Sequence, residues 1–305
     1  MKFSKSIITG GAGFIGSNLA DHLIRIGHKV IVLDNFVSGK KSNLSHHKKK
    51  NLKIFKIDIS KNKNLDQYFK GADYVFHLAG LAEIIPSIKN PRKYFINNAI
   101  GTLKVVQAAK KAKIKKLIYA ASSSCYGNTK SFPTSEKEKI DLKHPYAATK
   151  FIGEEIVMSY ALSFGMPNIS LRFFNVYGPR LNTSGQYSAV IGNFLKQTKN
   201  KKPLTVVGDG KQTRDFIHVD DLSEAFIKII KSKLVNKIYN LGSGKKTSIN
   251  SIAKLFGGKK KYVPLRPGEP KHSLANISKI KKDINWRPKI SIKEGISNLK
   301  KANFY

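Results

Sequence analysis

Tyr146 and Lys150 stand four residues apart in Tyr146-Ala147-Ala148-Thr149-Lys150, a spacing that puts both side chains on one face of a helix. An ammonium one turn from a phenol favours the phenolate, so the pair predicts a Tyr146 pKa drawn down from about 10. Beside a nicotinamide, such a tyrosine takes the proton of an alcohol while hydride leaves the carbon. A second device lies upstream, where Gly10, Gly13 and Gly16 keep G-x-x-G-x-x-G spacing in Thr9-Gly10-Gly11-Ala12-Gly13-Phe14-Ile15-Gly16. This turn follows a strand-like run and opens a helix-like one. Glycines there let the backbone approach a pyrophosphate, whose charge suits a helix N-terminus.

Asp34 comes 24 residues after Gly10, at the end of the next strand-like run and followed by Asn35. A carboxylate there accepts from a ribose 2′-OH and repels a 2′-phosphate, which points to NAD rather than NADP. Asp58, followed by Ile59, ends the third run and is placed to meet the adenine. After the fourth, His77 precedes Leu78, Ala79 and Gly80, small enough at the last two to let a dinucleotide lie against backbone. At the end of an apolar strand, His77 reads as a hydrogen-bonded structural residue rather than a base. No metal ion is assigned.

These pieces need a parallel sheet to carry them. Ser6–Thr9, Lys29–Leu33, Lys53–Ile57, Tyr74–Leu78, Lys116–Ala120 and Asn168–Phe173 read as strands, and Phe14–Arg25, Tyr94–Ala112 and Tyr146–Leu162 as helices. That alternation predicts an α/β fold, a Rossmann-type doubly wound parallel sheet. Beyond it the pattern loosens into a smaller α/β substrate-binding region, with helix Asp220–Lys231 and strand Ile238–Asn240 returning to the sheet. The expected division is residues 1–176 with a return segment 216–244 for NAD, and 177–215 with 245–305 for substrate.

Composition sets the outer limits. The 305 residues are 41% hydrophobic, enough for a full core, and carry a formal charge of +37. Of 56 basic residues only seven are Arg, whereas base readout leans on arginine forks. The lysines are spread along the chain and read as solvated faces, so no specific nucleic acid is expected. No apolar run approaches the roughly 20 residues that span a bilayer, so no membrane insertion is expected. With no signal peptide evident and a single cysteine, Cys125, the expected place is the reducing cytoplasm.

The order of Gly10–Gly16, Asp34-Asn35, Asp58-Ile59, His77–Gly80, Asn98 with Gly101-Thr102, Ser122–Gly127 and Tyr146–Lys150 resembles the extended short-chain dehydrogenase/reductase family. The resemblance continues through Arg172–Arg180, Gly208–Leu222, Tyr239–Gly244 and Arg266–Glu269, nearly the whole chain, and is strongest to nucleotide-sugar epimerases and dehydratases. It implies NAD as cofactor, with Phe14, Ile15 and Asn98 among its contacts. It makes Ser122 the catalytic Ser/Thr beside Tyr146 and Lys150, with Ser123 and Ser124 orienting the sugar. Dehydratases of the family place Asp-Glu directly after the catalytic Thr, and decarboxylating members keep a Glu nearby. The two serines found here instead favour epimerisation.

The resemblance further assigns Asn175, Arg214 and Arg266 to the nucleotide diphosphate and Glu269 to the nucleoside ribose. Ser273 falls at the gatekeeper of the hexose pocket, where a small side chain leaves room for an acetamido group at C2. The reaction implied is C4 epimerisation of a UDP-sugar, UDP-GlcNAc/UDP-GalNAc or the corresponding uronic acid, through a 4-keto intermediate. A C2 or C5 epimerase and a 4-keto reductase stay open, as does an NAD-sensing basic binding protein. Homodimerisation through helices Tyr94–Ala112 and Tyr146–Leu162 is also implied.

Overall fold

Twelve strands can be traced in the computed structural model, which describes residues 4–183, 190–264 and 270–304. They are β1 (Lys5–Thr9), β2 (Lys29–Asp34), β3 (Leu52–Lys56), β4 (Tyr74–His77), β5 (Lys116–Ser122), β6 (Asn168–Phe173), β7 (Asn175–Tyr177), β8 (Leu204–Val207), β9 (Thr213–His218), β10 (Lys237–Leu241), β11 (Lys246–Ser248) and β12 (Lys260–Val263). Seven form one sheet in the order β3-β2-β1-β4-β5-β6-β10, and every pairing in it is parallel. Strand order reverses between β1 and β4, which opens a crevice at the carboxyl ends of the strands. The Rossmann-type sheet expected from the sequence is therefore present.

The central strands are buried on both faces, which is why they read as apolar runs rather than alternating ones. One face packs Ile8, Val32, Phe76, Ile118 and Leu171 against Leu19, Leu23, Leu222 and Phe226. The other packs Ile7, Leu33, Val75, Leu117 and Tyr119 against Val105, Ala109 and Val157. A third cluster lies apart, with Phe194, Val206, Phe216, Ile252, Phe256 and Leu299. It is built around the three-stranded sheet β11-β9-β7 and the pair β12-β8. Ala275, Ile277, Ile280 and Trp286, late in the chain, return to the first cluster.

Helix Phe14–Arg25 coincides with the predicted span. The stretch expected as one helix from Tyr94 is instead α-helical over Pro91–Tyr94, a π-helix over Phe95–Ile100 and α-helical again over Gly101–Lys111. A π turn follows from no propensity scale, and such turns cluster at functional sites. Helix Pro145–Phe164 starts with Pro145 at its first turn, where the missing N–H costs nothing. The His144 ring caps it, accepting from the Ala147 N–H at 3.1 Å, and Gly165 ends it in the left-handed conformation.

That helix is fixed to the sheet by charge as well as packing. Glu154, 1% exposed, accepts from Arg172 Nη2 on β6 at 2.5 Å and from the Ser170 hydroxyl at 2.7 Å. Arg172 Nη1 donates to the Tyr126 hydroxyl at 2.9 Å, which donates in turn to Asn240 on β10 at 2.6 Å. Removing one partner of a buried, fully hydrogen-bonded pair strands the other charge and costs about 3–5 kcal/mol. Replacement of Glu154 by Leu is expected to lower stability by about that amount in urea or thermal unfolding, whereas the exposed Lys111–Asp66 pair should contribute under about 1 kcal/mol.

Candidate active site

A single cavity of about 1150 Å³ runs along the carboxyl ends of the strands, from Asp34 at one end to Arg214 and Ser273 at the other. The turn after β1 forms its first wall. Gly10 has φ +71°, and a Cβ there would lie 2.8 Å from backbone atoms of Ala79; a Cβ on Gly16 would run into the Gly10 carbonyl oxygen. Only glycine permits this packing of turn, helix and β4 loop, and it leaves a cradle of bare backbone before the helix N-terminus. The donor set and shape fit a dinucleotide.

Asp34 ends β2 and lines the cavity. Its carboxylate accepts from the Ala12 N–H at 2.9 Å and the Phe36 N–H at 2.8 Å. Burial pushes its pKa up, against those two bonds. Asp58 accepts from both the N–H and the hydroxyl of Ser60, at 3.0 and 2.6 Å. Burial acts to raise its pKa, but the Ser60 and Asn35 hydrogen bonds outweigh it and the carboxyl sits low. Gly13, Phe14, Ile15, Asn35, Ile59, Leu78, Ala79 and Gly80 also line this half.

Asn98 does not line the cavity. It is buried in the π-helix, 1% exposed, where its amide accepts from the Leu81 N–H at 2.8 Å and donates to the Leu81 carbonyl at 3.0 Å and the Thr149 hydroxyl at 3.0 Å. It therefore shapes the loop after β4 from beneath. His77 is similarly committed: its ring nitrogens lie 2.7 Å from the Thr9 hydroxyl and 2.9 Å from that of Thr102. Burial, helped by the Lys150 charge, pushes its pKa down to about 3. A neutral, doubly bonded, wholly buried ring fits the structural reading of His77.

In the middle of the cavity, β5 ends on Ser122 and turns through a 3-10 segment, Ser123–Tyr126. The Tyr146 hydroxyl donates to Ser122 Oγ at 3.2 Å, and Ser122 Oγ lies 2.8 Å from Ser124 Oγ. Lys150, one turn along, is buried with Nζ 4.3 Å from the Tyr119 ring centroid. Burial pushes the Lys150 ammonium down to about 7, against the pull of Glu154. Burial pushes the Tyr146 phenol up, against its Ser122 bond. The downward shift expected for Tyr146 is thus reversed, because the same dry surroundings that bring the pair together disfavour charge on each.

At the far end stand Asn175 on β7, Arg214 on β9 and Ser273, whose N–H donates to the Thr213 carbonyl at 3.1 Å. Arg214 Nη1 donates to the Thr213 carbonyl at 3.0 Å. Arg266 and Glu269 lie outside the described residues. Glu83 lines the cavity too. The sequence reading passed over His144, which lines the cavity with its ring parallel to Tyr146 at 5.9 Å. Its place directly before Pro145, where a helix cap is expected, was the available signal.

A dinucleotide cradle, a Ser-Tyr contact with a buried lysine, and a polar far end define a nicotinamide-dependent enzyme of the doubly wound class. The chain belongs to the NAD dependent epimerase/dehydratase family, whose model matches residues 6–242. It is 37% identical to the solved UDP-N-acetylglucosamine 4-epimerase of Methanobrevibacter ruminantium M1, in complex with UDP-N-acetylmuramic acid, with a TM-score of 0.93 over 99% of this chain and 98% of that one. The solved UDP-glucuronic acid 4-epimerase of Bacillus cereus, in complex with UDP-glucuronic acid and NAD, is 30% identical, with a TM-score of 0.90 over 98% and 99%. The UDP-N-acetyl-alpha-D-glucosaminuronate decarboxylase of Bacillus cytotoxicus is 32% identical over 309 residues, 96% of this chain and 95% of that protein. Among the described residues, no helix is long and apolar enough to cross a membrane.

The depressed His77 pKa carries a sign. The folded state accommodates the neutral ring, so its contribution is full above the unfolded value of about 6.5 and is lost as pH falls toward about 3. Over that window it amounts to about 1.4 kcal/mol per pH unit. Urea unfolding at pH 7.5, 6.0 and 5.0 should show this slope in the wild type and a shallower one in His77→Gln; parallel slopes would exclude the assignment.

Proposed function

We propose that the protein epimerises C4 of a UDP-sugar, UDP-GlcNAc/UDP-GalNAc or the corresponding uronic acid. The observation that carries this reading is the Tyr146 hydroxyl donating to Ser122 Oγ at 3.2 Å, at a strand end where the next two residues, Ser123 and Ser124, bring no carboxylate. An alcohol placed between those two side chains loses its proton to Tyr146 in its phenolate form, the form that a protonated Lys150 favours, and is held in line by Ser122. When bound, NAD supplies the acceptor and then the donor of one hydride at the sugar carbon. Tyr146 returns the proton when the 4-keto sugar is reduced on its opposite face. Proton and hydride both come back, so no outside redox partner is consumed.

The other roles follow the cavity. The Gly10–Gly16 backbone would hold the pyrophosphate of NAD, Asp34 the adenosine ribose, Asp58 and Ile59 the adenine, and Lys150 the nicotinamide ribose. Asn175, Arg214 and Arg266 would hold the sugar-nucleotide diphosphate, an arginine fork meeting two phosphate oxygens at once. Glu269 would meet the nucleoside ribose, and Ser123 and Ser124 the sugar. The third hydrophobic cluster and its small sheets form the substrate-binding part under this reading. Exposed Phe95, Ile100, Leu162 and Phe164 on the helices flanking the crevice suit a homodimer.

Proton NMR of the purified protein, incubated separately with UDP-GlcNAc, UDP-Glc and UDP-GlcA, tests the reaction. The C4 epimer is expected from at least one, with NAD added if needed; none from any would reject C4 epimerisation of these sugars. In the same assay Tyr146→Phe should cut turnover by about 10²–10⁴ while UDP binding persists. Ser273→Tyr should suppress N-acetylated substrates selectively, and an unchanged preference would remove Ser273 as the gatekeeper.

A further inference from the structure

Among the described residues, one cluster outside the cavity brings three metal-ligating side chains together. Asp21 Oδ1 lies 3.0 Å from His46 Nε2 and 2.6 Å from His47 Nε2. The two rings sit 4.1 Å apart between centroids, and all three ligand atoms fall within 4.8 Å of one another. Asp21 belongs to helix Phe14–Arg25, whereas the histidines follow the short 3-10 turn Lys41–Leu44. None of the three takes part in the chemistry above.

We propose that Asp21, His46 and His47 form a binding site for a divalent, imidazole-preferring metal ion such as Zn²⁺. Two imidazole nitrogens and one carboxylate oxygen make a donor set that suits Zn²⁺, Ni²⁺ or Cu²⁺ and not the oxygen-seeking Mg²⁺ or Ca²⁺. A tetrahedral ion with bonds of about 2.0–2.1 Å needs its ligand atoms about 3.3 Å apart. From 3.0 Å at His46 and 2.6 Å at His47, the Nε2···Oδ1 separations therefore open by about 0.3 and about 0.7 Å as the ion replaces the shared ring protons. His46, with a side-chain exposure of 52%, makes the smaller adjustment freely; the larger one falls on His47, at 11%, and requires its ring to shift with the segment that carries it, while water completes the coordination.

Arg180 bears on the site directly. Its Nη2 takes the other Asp21 oxygen, Oδ2, at 2.5 Å. This guanidinium weakens the attraction for a cation, but it also leaves Oδ1 aimed at the imidazoles, as hydrogen bonds to ligating carboxylates do in metal sites generally. The same Arg180 donates to the Asn43 carbonyl at 2.9 Å.

The location gives the ion a task. The segment carrying the histidines begins beside the dinucleotide cradle: Lys40 N–H donates to the Ala12 carbonyl at 3.0 Å, and Asn43 Nδ2 to the same oxygen at 2.8 Å. A Cβ on Gly39 would lie 2.9 Å from both Asp34 carboxylate oxygens. An ion linking His46 and His47 to Asp21 therefore pins this segment onto the helix that opens from Gly13, and so braces the wall around Asp34. Its proposed effect on cofactor binding rests on the NAD reading of that cavity; metal binding itself does not.

The test uses untagged full-length protein stripped with a chelator and dialysed, then titrated with Zn²⁺ alone against a chromophoric competitor. One ion per chain is expected, together with a rise in melting temperature of several degrees that Mg²⁺ and Ca²⁺ do not produce. His46→Gln, at an exposed position where folding is safe, and His47→Gln should each weaken Zn²⁺ binding at least tenfold and abolish the rise. His272→Gln, at an exposed histidine elsewhere, should change neither. No stoichiometric Zn²⁺ in the wild type, or wild-type affinity retained in both cluster variants, would overturn the site. NAD affinity measured with and without Zn²⁺ is a separate readout: tightening supports the brace, and no change with Zn²⁺ bound rejects the brace while the site stands.

Discussion

The contact between Tyr146 and Ser122 depends on how one helix is held. Tyr146, Lys150 and Glu154 follow one another at intervals of four, so a hydroxyl, an ammonium and an anchoring carboxylate share one face of helix Pro145–Phe164. The anchor closes on Arg172 of β6, the strand next to β5, and β5 carries Ser122 at its end. The separation between the tyrosine and serine hydroxyls is thus set by an ion pair two turns down the helix. Burying two charges is expensive, and here the pair fixes the helix against the strand beside β5.

The same dryness governs ionisation. Tyr146 is pushed up and Lys150 down to about 7, so burial disfavours charge on both members of the pair. Glu154 works against this at Lys150. Lys150 in turn helps keep His77 neutral, beneath the β4 loop. The spacing of Tyr146 and Lys150 foretold their neighbourhood but not the sign of the shift, because solvent exclusion is a property of the folded whole.

Much of the fold was legible because strands buried on both faces leave unmistakable apolar runs, and because the Gly10–Gly16 turn admits few alternatives. The helix from Phe14 could be bounded to the residue. Legibility failed where an effect was non-local. The π turn at Phe95–Ile100 has no compositional mark, and with it Asn98 turns beneath the Leu81 loop instead of into the cavity. Glu154 and Arg172 are ordinary charged residues until the sheet brings them together. The region of small sheets was read only as weakened regularity, since short strands such as β7 and β11, of three residues each, carry too little pattern to announce themselves.

The two ends of the cavity are built differently. The end at Asp34 is assembled from consecutive strand ends of one sheet, next to buried residues such as Leu33 and Ile59. The far end is gathered from Asn175, Arg214 and Ser273, on separate segments widely spaced along the chain. Such a construction divides inheritance. Substitutions at the far end can reshape that part of the cavity while leaving the sheet and its buried ion pair untouched, so one end is free to vary while the other is held by the core.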